Sequence, residues 1–432
     1  MNNVSTDSRT LQPGDVFFAL IGETHDAHDH LAEVAAKGAS KMVVSDASKV
    51  PADFAGEVAV VGDTLRAYQD AAAAWLHEVD PFVIAITGSV GKTTLKDMIA
   101  CICAKALKTH ATQGNFNNQI GVPKTILSMP ADTEVLVLEM GMEWPGEIKR
   151  LCEIARPNAC AITNVGVSHR EHFDSDDGIR LAKYEIASFL GAGDALVIDP
   201  NNDAGLVALA EAGAREQGFS LVKIGEDYRV RDIRYTEDGA LTCEICEETR
   251  EEGECERFAL PIPGAYAATS AAMAAAICLR LGISIAAAAE ALRTLTVTPH
   301  RLQPIRKGGV LVIDDTYNAS PDSMRSGLEY LSACPGARKI AVLADMNELG
   351  AESERLHFET GRLAAALGVR DVYTYGDKAR KIAGGADRAD LWFSEKPALV
   401  ARLLADVQDG DVVFVKGSRS LRMEEVVEAL LA

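Results

Sequence analysis

The sequence predicts an α/β protein built from three domains. Its 432 residues are too many for one ordinary domain. Continuous apolar strands alternate with amphipathic helices over most of the chain, the pattern of parallel sheets covered on both faces. The rhythm breaks twice, at Asp80-Pro81 and near Pro299, which divides the chain into 1–80, 81–298 and 299–432. Hydrophobic residues make up 48% and charged residues 25%, so each part can bury an ordinary core.

The first segment carries short strands at 15–20 and 42–44. It closes with a helix that lines up Leu65, Tyr68, Ala72, Trp75, Leu76 and Val79 on one face. A small N-terminal α/β domain is expected. In the second segment, apolar strands at 82–86, 135–138, 159–162 and 195–198 are separated by helical patterns, which predicts a mostly parallel sheet. The stretch 228–260 alternates more strictly and is acidic from Glu247 to Glu256, as for an antiparallel edge with an exposed hairpin. The Ala-rich stretch 271–289 is broken by Arg280 and Gly282, which suits two packed helices and not a membrane span. The third segment repeats the strand–helix rhythm at 310–313, 339–343, 371–375 and 412–415. It is Rossmann-like without a Gly-rich dinucleotide turn.

A formal net charge of −20 argues against a nucleic-acid partner, whose phosphates require a basic surface. A nucleotide can still bind, because a few local cations and backbone N–H groups suffice. Met1-Asn2-Asn3-Val4-Ser5 has neither the basic nor the apolar stretch of a signal peptide. A cytoplasmic monomer without a membrane partner is the expectation. Nine scattered cysteines fit a reducing compartment better than a disulfide framework. Cys243, Cys246 and Cys255 show no fourth ligand for zinc, and are read as structural thiols. His25, His28 and His30 also lack a completing ligand set, and a solvated loop is expected there.

The strongest chemical signal is Thr87-Gly88-Ser89-Val90-Gly91-Lys92-Thr93-Thr94, with an apolar strand before it and a helical pattern after it. Glycines let the backbone curl, so successive N–H groups face phosphates at a helix N-terminus. Lys92 can neutralise the β- and γ-phosphates, and the Thr93 hydroxyl can ligate Mg²⁺. Ile86 stands where the common loop has its first glycine. Strand, loop and helix together predict ATP binding and a P-loop-type ATPase fold for the second segment.

This shifted loop resembles that of the Mur ligases and the folylpolyglutamate synthetases, and the resemblance extends over nearly the whole chain. The segment from Gly114 to Pro123 is similar to the family's stretch after the loop helix and next strand. Glu139-Met140-Gly141 resembles its strand-end carboxylate, and Asn164-Val165-Gly166-Val167-Ser168-His169 its histidine motif. Ala182-Lys183-Tyr184-Glu185-Ile186 is similar to the motif whose lysine is carbamylated by CO₂. Three further segments, 313–319, 343–350 and 415–419 with Met423-Glu424, resemble the member that adds D-alanyl-D-alanine. Asp7-Ser8-Arg9, Gly14-Asp15 and Asp26-Ala27-His28-Asp29 are similar to that member's UDP-sugar domain. The chain departs from the family's Gly-x-His-Asn-x-x-Asn helix start, reading Gly264-Ala265-Tyr266-Ala267-Ala268-Thr269-Ser270.

The resemblance implies an ADP-forming ligase of peptidoglycan precursor synthesis. It would join D-alanyl-D-alanine to UDP-N-acetylmuramoyl-tripeptide through an acyl phosphate. It implies ATP contacts from Thr87 through Thr94 with Arg301, Asp315 and Asn318, and catalytic roles for Lys92, His169 and Lys183. One Mg²⁺ would rest on Thr93 and Glu139, and a second near His169 and a carbamylated Lys183. Substrate contacts fall to Ser8, Arg9, Ala27, His28, Asn117, Asn118, Lys416, Ser418 and Arg419. On this reading 1–80 binds the UDP-sugar, 81–298 binds ATP, and 299–432 is the ligase domain that closes over it. A ligase using another amine, or a nucleotide-binding homologue without turnover, stays open.

Overall fold

Four short strands, β1 (Val4–Ser5), β2 (Val16–Phe18), β3 (Lys41–Val44) and β4 (Glu57–Val60), pair in that order as a parallel sheet. The computed structural model describes residues 4–22, 24–166, 173, 175–248, 253–262 and 264–432. Helix α1 (Leu31–Ala36) packs Leu31 and Val34 against Phe17, Met42 and Val44 of this sheet. Helix α2 (Thr64–Val79) starts where the Asp63 carboxylate accepts the Arg66 N–H, and stops at Asp80, whose φ of 51° is left-handed. Its Tyr68 packs on Phe18 and Val43 of the first sheet, whereas Trp75 and Leu76 enter the core of the next unit. The Trp75 indole N–H donates to the Met129 carbonyl at 3.1 Å. The helix that closes the first segment in sequence is therefore shared by two cores.

The second unit alternates β5 (Phe82–Thr87), α3 (Lys92–Cys103), β6 (Thr109–Ala111), α4 (Gly121–Leu127), β7 (Val135–Glu139), α5 (Glu147–Ala155), β8 (Ala159–Ile162), α6 (Asp176–Tyr184), β9 (Ala195–Ile198), α7 (Ala204–Gln217) and β10 (Ser220–Lys223). The strands form one parallel sheet in the order β10-β9-β8-β5-β7-β6. Val83 and Ala85 of β5 face a core with α2 and α4 to α7, while Ile84 and Ile86 face the opposite core. Burial on both sides explains the unbroken apolar runs. Chain connections diverge around β5, so a crevice opens beyond the C-terminal ends of β5, β7 and β8, where such sheets take ligands.

The stretch 228–260 is not an edge of that sheet. It forms a separate antiparallel sheet of β11 (Tyr228–Tyr235), β12 (Leu241–Glu247) and β13 (Cys255–Leu260). Alternation gives it one apolar face, and Leu241, Cys243, Ile245, Phe258 and Leu260 bury that face in the core shared with α3, α8 (Ala265–Leu279) and α9 (Ile285–Leu292). Cys246 and Cys255 stand opposite each other on β12 and β13 and form a disulfide, which corrects their reading as free thiols. Only the strand register brings the two sulfurs together.

The third unit comprises β14 (Gln303–Lys307), β15 (Val310–Asp315), α10 (Pro321–Ala333), β16 (Lys339–Ala344), α11 (Ser353–Ala366), β17 (Asp371–Tyr375), α12 (Arg380–Gly385), β18 (Trp392–Phe393), α13 (Lys396–Asp406), β19 (Val412–Lys416) and α14 (Glu424–Leu431). Its sheet order is β14-β15-β19-β16-β17-β18, parallel except for β14. The β11–β12 turn touches this unit: the buried Tyr330 hydroxyl donates to the Gly239 carbonyl at 2.9 Å, and the Tyr235 and Tyr330 rings meet edge-on at 5.5 Å. Among the described residues, no helix is long and apolar enough to cross a membrane.

Candidate active site

The loop from Thr87 to Thr94 runs from the end of β5 into α3, in the crevice beside the ends of β7 and β8. Gly88 has a φ of 143°, and a Cβ there would come 1.9 Å from Thr163 Oγ1. Gly91, at φ 85°, delivers the chain into α3. The loop is held from behind by the segment after β8. Asn164 Oδ1 accepts the Ser89 and Val90 N–H groups, each at 3.0 Å, and Thr163 Oγ1 donates to the Val90 carbonyl at 2.6 Å. The Gly166 N–H donates to Ser89 Oγ at 2.8 Å. Asn164 was absent from the expected site residues. It opens the stretch that resembles the family's histidine motif, two residues after the strand Ala159–Ile162, but its hold on the loop was not expected.

Lys92 folds back over the loop and donates to the Gly88 carbonyl at 2.7 Å. Burial pulls its ammonium below the ordinary lysine range, Glu139 opposes this, and the Arg301 charge adds to it. Glu139 ends β7 and is buried. Its Oε2 accepts the Thr93 hydroxyl at 2.8 Å and its Oε1 accepts the Asn117 amide at 2.9 Å. A hydroxyl and a carboxylate side by side at a phosphate loop are hard oxygen donors suited to Mg²⁺.

Two cavities meet here. The first is lined by the loop, Glu139, Asn117 and Tyr266 on one side, and by Arg301, Asp315, Tyr317, Asn318 and Lys416 of the third unit on the other. The second is lined by Thr87, Gly88, Asn118, Gln119, Glu143 and Lys183. Lys92, Asn115 and Asn117 belong to both. Lys183 sits in the last turn of α6 and is 2% exposed. Burial first, and then the Lys92 charge, bring its ammonium down to about 7. His169 lies outside the described residues.

In the third unit, the Arg301 guanidinium lies over the Tyr317 ring at 4.0 Å. Asp315 Oδ1 accepts the Leu302 N–H at 3.1 Å, and Oδ2 pairs with Lys416 at 2.5 Å. Burial raises the Asp315 pKa, and Lys416 opposes that shift. Lys416, expected at the substrate, also donates to the Asn318 carbonyl at 2.8 Å, so the fold already engages its ammonium. Ser418 is buried and its Oγ accepts the Asn347 N–H at 2.9 Å; exposed Arg419 pairs with Glu424 at 3.0 Å. Tyr266, within the departing segment 264–270, presents an aromatic ring to the first cavity.

In the first unit, Arg9 is exposed and grips Asp7 with Nε and Nη2, while Ser8 Oγ donates to Glu33 at 3.1 Å. Ala27 is buried, and so is His28. The Nδ1 of His28 lies 2.7 Å from Asp26, and its Nε2 accepts the Ser45 N–H at 2.9 Å. The solvated loop expected around His28 is a packed 3₁₀ turn, because Asp26 caps the turn and folds the ring inward. None of Ser8, Arg9, Ala27 and His28 lines either cavity.

Residues 86–278 match the model of the Mur ligase middle domain, and 300–419 match that of the Mur ligase, glutamate ligase domain. The chain is 36% identical to the UDP-N-acetylmuramoyl-tripeptide–D-alanyl-D-alanine ligase of Escherichia coli, over 100% of this chain and 94% of that protein. It is 35% identical to the ligase of the same name from Bacillus subtilis, over 100% of this chain and 93% of that one. The crystal structure of MurF ligase from Thermotoga maritima in complex with ADP superposes with a TM-score of 0.89 at 28% identity, covering 100% of this chain and 97% of that one. With phosphate loop, strand-end carboxylate and buried lysine gathered in one crevice, the chain belongs to the Mur ligase family.

Proposed function

We propose that this chain joins D-alanyl-D-alanine to UDP-N-acetylmuramoyl-tripeptide with cleavage of ATP to ADP and phosphate. One observation carries the reading: a phosphate-loop cavity and a second polar cavity share a wall made by Lys92, Asn115 and Asn117. A nucleotide in the first and a carboxylate in the second would meet at that wall. The named relatives support the choice of substrates.

A carboxylate oxygen is a poor leaving group, so amide formation needs activation. The tripeptide's terminal carboxylate attacks the γ-phosphorus, the bond to the β-phosphate oxygen breaks, and ADP leaves. The dipeptide amine then attacks the acyl carbon, inorganic phosphate departs, and the amine's proton is released. Two anions meet in the first step, so cationic neutralisation is the chief demand on the protein. Lys92 stands between the cavities to meet it, and Arg301 adds a second charge from the third unit. Thr93 and Glu139 would hold Mg²⁺, which supplies charge neutralisation on the phosphates when bound. Asn117 orients the Glu139 carboxylate.

Lys183 fits a carbamate. A lysine with a pKa of about 7 is substantially neutral near pH 7 and can attack dissolved CO₂, forming the N–C bond and releasing a proton. The anionic product would sit beside Lys92 and offer oxygen donors to a second Mg²⁺. Domain roles follow: 1–80 would take the UDP-sugar, with Arg9 exposed to meet it; 81–298 would take ATP; 299–432 would complete the site and receive the dipeptide. The test is ADP release from the UDP-linked tripeptide with and without D-alanyl-D-alanine. Release that depends on the dipeptide is expected. Equal release with diaminopimelate, lysine or glutamate in its place would remove the assignment.

A further inference from the structure

Lys96 lies one turn beyond Thr93 on α3 and is only 6% exposed, yet the chemistry above does not use it. Its ammonium donates to the Thr112 carbonyl at 2.8 Å and sits 2.7 Å from Asp97 Oδ1. A buried cation is tolerated only when paired and hydrogen-bonded, and both conditions are met. The two partners lead in opposite directions. Thr112 Oγ1 accepts the N–H of Glu139 at 3.0 Å, the carboxylate residue of the phosphate crevice. Asp97 Oδ2 accepts the hydroxyl of Thr298 at 2.5 Å.

Thr298 belongs to the segment between α9 and β14 that carries Arg301 into the first cavity. That segment holds unusual backbone. His300 at φ 64° and Leu302 at φ 45° are both left-handed, on either side of Arg301. Non-glycine residues adopt this region only when their surroundings over-determine it. The third unit supplies part of the restraint: His300 Nδ1 lies 2.8 Å from Asp314, and the Leu302 N–H reaches Asp315. The Asp97–Thr298 bond ties the same segment to the central unit.

We propose that Lys96 and Asp97 are positioning residues for nucleotide binding: they pin Thr298, and through it the strained segment presenting Arg301, to the helix that begins at the phosphate loop. This rests on the reading of the first cavity as the ATP site. The pair thereby helps to hold Arg301 where its charge reaches Lys92.

Calorimetric titration of the full chain with ATP and Mg²⁺, without peptide substrates, tests this independently of amine choice. Asp97→Ala and Thr298→Val are each expected to weaken ATP binding about tenfold, the scale of one residue's backbone freedom. In an Arg301→Ala background the same changes should alter the affinity less than about twofold, because the group they position is gone. Full additivity in that background, or undiminished affinity in Thr298→Val, overturns the proposal. If Asp97→Ala fails to fold, Thr298→Val decides alone, since it leaves the Lys96–Asp97 ion pair intact. Failure of the unaltered chain to bind ATP overturns the ATP-site reading, whereas normal binding with additive effects overturns only the positioning role.

Discussion

At the scale of single residues, Lys183 carries the most specific chemistry. Its pKa of about 7, lowered by burial and by Lys92, makes the neutral amine a function of ordinary pH. The neutral form of a base prevails above its pKa, so about a tenth of Lys183 is neutral at pH 6 and about nine-tenths at pH 8. Carbamate formation should rise across that window, read as a carbon-13 carbamate signal in labelled bicarbonate; no signal at pH 8 would exclude it. Lys183→Ala should cost about 100-fold in turnover, the scale of a lost charge at a phosphoryl-transfer site. Added bicarbonate should not restore it. Lys92 and Thr93 were legible in the sequence because a phosphate loop is local, and Glu139 through its resemblance to the family's strand-end carboxylate. Asn164 was not, since it meets Ser89 and Val90 only after β8 is laid beside β5.

At the scale of elements, the antiparallel sheet of β11 to β13 departs most from expectation. Its apolar face covers α8 and α9, and its turn props the third unit through Gly239 and Tyr330. Gly239 has a φ of 79°, and a Cβ there would come 2.6 Å from the Tyr330 hydroxyl, so the close approach needs glycine. Tyr330→Phe leaves the Gly239 carbonyl without this partner and should destabilise the chain by about 1–2 kcal/mol. Denaturant unfolding measures that loss, and an unchanged midpoint would show that the prop contributes nothing. Helix α2 was legible as amphipathic, but its double allegiance was not. A single apolar stripe does not reveal that Tyr68 and Trp75 enter different cores.

At the scale of the whole molecule, the first cavity has walls from two units, so nucleotide binding should join their stabilities. ATP with Mg²⁺ at about 100 times its dissociation constant should raise the unfolding free energy by about 2.7 kcal/mol. Differential scanning calorimetry reads this as one shifted transition. Arg301→Ala should lose most of the shift at the same ATP concentration. An equal shift in that variant would mean that the third unit does not contribute to binding.

The sequence by itself determined the α/β class, the three-part rhythm and the phosphate loop, because each is written in neighbouring residues with a fixed period or spacing; its carboxylate was supplied by the family resemblance. Tertiary structure alone decided the rest. Asn164 came to hold the loop, the two sulfurs met, His28 turned inward, Lys416 was engaged by Asp315, and Thr298 was tied to Asp97. Each of these joins residues far apart in the chain, or depends on strand register or burial. Neither strand register nor the desolvation of a charge exists until the chain has folded.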